Sequence, residues 1–91
     1  MIQRDQDDLI TASQMRAARA LLGFSQEELA SRSGVSIPTL KRCESDGENV
    51  PIVSSRTRAK ICAALQTAGI EFIPENGGGL GVRLSRSSTR K

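Results

Sequence analysis

The chain has 91 residues, 37% hydrophobic and 25% charged, with a formal net charge of +3. That is enough for one small domain and not two, and the composition is that of a folded protein. No run approaches the ~18 apolar residues needed to span a bilayer. Two cysteines, Cys43 and Cys62, with no histidine anywhere, fit none of the usual zinc spacings.

A chain this short buries a modest fraction of its surface, and dimerisation is a natural way to bury more. Phe24 and Phe72 are the only aromatics, so aliphatic side chains and alanine must fill the core. The charge falls in blocks. Residues 11–43 carry five basic side chains against two acidic ones, Glu44, Asp46 and Glu48 form an acidic block, and Arg56, Arg58 and Lys60 follow. Blocks of this kind fit one basic face for a polyanion, and equally a solvated surface of mixed sign.

Residues 1–10 read as a flexible lead-in, acidic through Asp5, Asp7 and Asp8. No apolar stretch follows a basic start, so a secretory signal is not expected and a cytoplasmic location is. Thr11 is a helix N-cap. Ala12 to Leu22 is rich in strong helix formers, with Met15, Ala18 and Leu22 on one face. Gly23 ends the helix. Ser25-Gln26-Glu27-Glu28 reads as a capping box, with Phe24 and Leu29 at the staple positions. It opens a short helix over about 26–33 with Leu29 and Ala30 inward, and Gly34 supplies a tight turn.

Ser36 caps a third helix over about 37–45, with Pro38 tolerated in its first turn. Leu40 and Cys43 point to the core. The Asp46-Gly47 and Val50-Pro51 pairs make a loop. A fourth helix starts at Ser54 or Ser55 and runs to about Ala68, with Ile61, Cys62, Leu65 and Ala68 buried; Gly69 stops it. Both cysteines fall at apolar helical positions, where small buried hydrophobe is the better reading.

Beyond Gly69 the period changes. Ile70–Ile73 and Leu80–Leu84 read as strands around a Pro-Glu-Asn-Gly-Gly-Gly turn. A lone hairpin is marginal in water, so it either packs on the helices or pairs with a second subunit. Ile70, Phe72, Val82 and Leu84 are the candidate dimerisation residues. Residues 85–91 read as a disordered basic tail.

The informative stretch is 25–47: a capped short helix, a glycine turn and a capped second helix, which is the helix-turn-helix plan. Gln26, Leu29, Ala30, Gly34, Val35, Ser36, Leu40, Glu44 and Gly47, in that order, resemble the Cro/phage-repressor (XRE) family of DNA-binding domains over about residues 11–68. The expected fold is therefore mainly α. It comprises a lead-in (1–10), a four-helix Cro/repressor-like domain (11–69), a C-terminal β-hairpin at a dimer interface (70–84) and the tail.

With the second motif helix anchored through Val35, Leu40 and Leu29, its outward side chains enter a major groove. Ser36, Ile37, Pro38, Thr39, Lys41 and Arg42 make up this set. Arg42 is the leading base reader, because its fork can bond a guanine O6 and N7 together. The resemblance implies a phosphate contact for Gln26 and a pair between Arg19 and Glu44 that fixes the angle between helices. Arg16, Arg32, Arg56 and Arg58 are each either phosphate contacts or ordinary surface charge. The acidic residues 44–50 are expected to face away from phosphates.

The resemblance implies a sequence-specific regulator, a repressor or autoregulator, that binds a palindromic operator in double-stranded DNA as a homodimer. No cofactor is called for. An enzyme is not expected: no phosphate loop and no nucleophile–base pair is present, and the glycine run 77–79 precedes a strand. The competing reading is an antitoxin or regulatory partner that binds another protein through the hairpin.

Overall fold

The computed structural model describes residues 10–45 and 53–85. The expectations for the lead-in up to residue 9, the acidic loop 46–52 and the tail from 86 lie outside the described residues.

Four helices precede one hairpin: α1 (Ala12–Leu22), α2 (Gln26–Ser33), α3 (Ile37–Cys43), α4 (Ser55–Thr67), β1 (Ile70–Ile73) and β2 (Gly81–Leu84). Each helix starts at a hydroxyl. Thr11, Ser25, Ser36 and Ser54 accept from the backbone N–H groups of Gln14, Glu28, Thr39 and Thr57, which satisfies one otherwise orphaned donor per helix. At α1 the cap is reciprocal, because Thr11 N–H donates back to Gln14 Oε1 at 2.9 Å. At α2 the expected return bond from Glu28 gives way to an ion pair. Arg32, one turn on, donates its Nε to Glu28 Oε2 at 2.8 Å, and a charged donor outcompetes a neutral amide.

The ends follow equally local causes. Gly23 closes α1 at φ +73°, a left-handed conformation that carries little penalty without a Cβ. The third helix stops at Cys43, two residues short of the sequence expectation. Glu44 has already left helical geometry at φ −91°, ψ 3°, held by bonds to α1 described below.

Met15, Leu29, Leu40, Ile61, Cys62 and Leu65 are fully buried. Each of the larger aliphatic ones contributes roughly 1.5–3 kcal/mol of transfer free energy. Ile10 joins this core at 5% exposure and corrects the reading of residue 10 as flexible lead-in. Its side chain is apolar, and its carbonyl accepts from Arg58 Nη2 on α4.

The strands pair antiparallel, with Ile70 opposite Leu84, Glu71 opposite Arg83, Phe72 opposite Val82 and Ile73 opposite Gly81. The hairpin packs on the helices. Ile70 lies in the core, and Phe72 and Val82 pack against it. On the other face Glu71 and Arg83 form an exposed cross-strand ion pair. Ser85, assigned to the tail from sequence, instead continues the hairpin by donating its N–H to Gly69 O at 2.7 Å. Gln14 ties hairpin to helix: its Nε2 donates to Gly81 O at 3.0 Å and to Ile73 O at 3.3 Å.

Candidate nucleic-acid interface

The turn between α2 and α3 is made by two amides converging on one carbonyl. Gly34 N–H and Val35 N–H both donate to Ala30 O, at 2.9 and 3.1 Å. Gly34 adopts φ +73° with open space where a Cβ would sit, so conformation and not crowding favours glycine there. Ala30 itself is buried.

From this turn α3 divides into two sides. Leu40 and Cys43 are buried on the inner side. Ile37, three residues before Leu40, is partly buried and packs against the same core. Helical spacing puts positions 37 and 40 on one face, so Ile37 lies between the inner side and the outward set expected from sequence. The outer side presents Pro38, Lys41 and Arg42, all exposed. Ser36 is exposed at the start of the helix, and its Oγ lies 2.9 Å from the half-buried Thr39 Oγ1. Lys41 and Arg42 form no ion pair with any other described residue.

The far end of α3 is held by charge. Arg19 on α1 donates Nε to Glu44 Oε2 at 2.9 Å and Nη2 to Oε1 at 3.0 Å, a two-point contact that fixes orientation as well as distance. Its Nη1 also donates to Phe24 O at 3.2 Å. Gln26, at the first turn of α2, donates Nε2 to Glu44 Oε1 at 3.1 Å. Arg16 reaches the Glu44 carbonyl through Nη1. The Glu44 side chain is only 3% exposed, against 23% for Arg19. Three side chains from α1 and α2 therefore converge on one residue and set the pose of the outer face of α3.

The structure thus brings Arg19, Gln26 and Glu44 together, with Arg16 beside them, and leaves Lys41 and Arg42 pointing to solvent. Of the other arginines singled out from sequence, Arg32 pairs with Glu28 and lies 4.3 Å over the Phe24 ring, and Arg58 bonds the Ile10 carbonyl. Arg56 is exposed on α4, as is Lys60 one turn on. Gln14 went unnoticed in the sequence, although its place three residues after Thr11 is the fourth position of a capping box. Burial pushes the Cys43 thiol above its ordinary pKa, with Arg58 opposing and Glu44 adding to the shift. That environment favours a neutral thiol and not a nucleophile. No helix among the described residues is long and apolar enough to cross a membrane.

Residues 12–72, about two thirds of the chain, match the family model described as a helix-turn-helix domain. The match takes in all four helices and most of β1. No curated protein matches the chain.

Proposed function

This chain belongs to the helix-turn-helix domain family, and we propose that it is a sequence-specific transcriptional regulator of the Cro/phage-repressor type. It binds a palindromic operator as a homodimer with α3 in the major groove. The observation that carries this reading is the outer face of α3. Pro38, Lys41 and Arg42 are exposed there, with no carboxylate paired to either cation among the described residues, on a helix clamped at both ends.

Arg42 reads guanine through its planar fork, while Lys41 contacts base or phosphate as a point charge. Thr39 and Ser36 lie at the margin of that face and Pro38 meets a thymine methyl. Gln26 serves first as a partner of Glu44, and its place in the first turn of α2 sets backbone donors towards a phosphate. A single α3 reads only a few base pairs, too few for selectivity among ~10⁶ competing sites. Two copies about 34 Å apart read half-sites one turn apart. Occupying a promoter in this way blocks polymerase, which gives repression or autoregulation as the output.

Selection from a random duplex pool at near-physiological salt tests this. A retained two-fold symmetric motif supports the reading. Retention of no motif by folded protein overturns it and favours a protein partner as the target.

A further inference from the structure

Away from the outer face of α3, the helices α2 and α4 leave a hollow of about 430 Å³ between them. The last turn of α2 lines it with Arg32 and Ser33, and α4 lines it with Lys60, Ala63, Ala64 and Thr67. No residue of α3 takes part. Its size lies within the ~300–1,000 Å³ of small-molecule sites, more than a single ion would occupy.

The lining divides into charge and methyl groups. Arg32 comes from one helix and Lys60 from the other, while Ala63 and Ala64 offer only methyls. Arg32 is held in place although its side chain is 48% exposed. Its Nε donates to Glu28 Oε2 at 2.8 Å, and its guanidinium lies 4.3 Å over the Phe24 ring. Glu28 takes Nε alone. Among the described residues both Nη groups of Arg32 and the Nζ of Lys60 therefore lack a hydrogen-bond acceptor. Ser33 adds no donor, because its Oγ already donates to Leu29 O at 2.8 Å.

We propose that this hollow binds a small dicarboxylate. One carboxylate lies in the plane of the Arg32 Nη pair, which is oriented in advance and matched to two parallel oxygens. The other meets Lys60 as a point charge, and the short alkyl chain between them covers Ala63 and Ala64. Inorganic phosphate fits the fork as well, but it leaves the methyls uncovered and cannot serve both cations through a carbon spacer. Glu28 offsets part of the positive charge, so the arrangement favours a ligand that uses both cations over a simple anion. The site goes beyond the operator reading and does not depend on it. It adjoins the turn into α3, since Arg32 and Ser33 run straight into Gly34.

Nuclear magnetic resonance titration of the full chain with succinate, without DNA and at constant ionic strength, tests the proposal. Succinate is expected to give saturable shifts at the amides that line the hollow. Succinamide, of similar size and uncharged, and inorganic phosphate should each bind at least about tenfold more weakly. R32K keeps the charge and loses the fork, and should raise the succinate Kd at least about fivefold. K60Q should raise it about threefold or more. Far-UV circular dichroism verifies that both variants fold, as substitutions at exposed positions should. No saturable shift, phosphate binding as tightly as succinate, or an unchanged Kd in R32K or K60Q overturns the proposal. Succinate binding that follows this pattern in a chain that selects no DNA motif leaves the site standing and removes only the operator.

Discussion

Replacing Arg19 with alanine strips the Glu44 carboxylate of two of the three side-chain donors that reach it, at 2.9 and 3.0 Å, and leaves Gln26 at 3.1 Å. The carboxylate is 3% exposed, so water cannot fully replace what is lost. Breaking a buried pair by removing one partner costs about 3–5 kcal/mol. Arg19 is 23% exposed, which admits some solvent into the gap and places the expected loss near the lower bound, about 3 kcal/mol. For a domain of this size that is a fall in melting temperature of roughly 12–24 °C. Urea denaturation at fixed protein concentration, followed by circular dichroism, measures it directly. Replacing both partners with apolar residues, as in R19M/E44L, should recover most of the loss, because no charge is then left buried. A loss below about 0.5 kcal/mol for R19A would refute the argument that this pair fixes α3, as would a double variant weaker than R19A.

Arg42→Ala should weaken binding to the selected operator by about 1–3 kcal/mol while sparing affinity for random DNA; competition anisotropy checks this, and an equal loss on both would contradict base reading. Gln14→Leu should cost about 1–3 kcal/mol by leaving the Thr11 N–H without its acceptor and taking the side-chain donor from the Gly81 and Ile73 carbonyls. Hydrogen exchange should show faster opening of β1, β2 and the first turn of α1, and unchanged exchange there would refute the clamp. Burial raises the Cys43 thiol above 9.0 in the folded chain, so its neutral form adds stability that is fully present below that pH. That stability is lost as pH rises through it, because the unfolded chain ionises first. Melting temperatures of the wild type and Cys43→Ala should therefore converge between pH 8 and pH 10, and parallel curves would contradict the sign.

The helices were legible because their signals are local. A hydroxyl at Thr11, Ser25, Ser36 or Ser54, three residues before the amide it accepts from, marks each start whatever the rest of the chain does. What escaped was long-range. Ile10 follows an acidic stretch and offers no periodicity; it is buried in the apolar cluster, and Arg58, far along the chain, bonds its carbonyl. The end of α3 falls early at Glu44, whose N–H still donates to Leu40 O while its side chain and carbonyl are held by α1 and α2. In the candidate interface, the residue types on the outer face of α3 could be read, but not the convergence of Gln26 and Arg16 with Arg19 on Glu44, which depends on three helices meeting.

The two sides of α3 share no residue. Leu40 and Cys43 with Glu44 hold the helix in place, and Pro38, Lys41 and Arg42 take no part in that attachment. Substitutions at exposed helix positions away from caps and ion pairs usually alter stability by no more than about 0.5 kcal/mol. Mutation can therefore sample many outer faces on one unchanged frame. Under the proposed reading, a duplicated copy of such a chain drifts to a different DNA site without first passing through an unfolded intermediate, and the limit on its diversification lies in the DNA it meets and not in the fold.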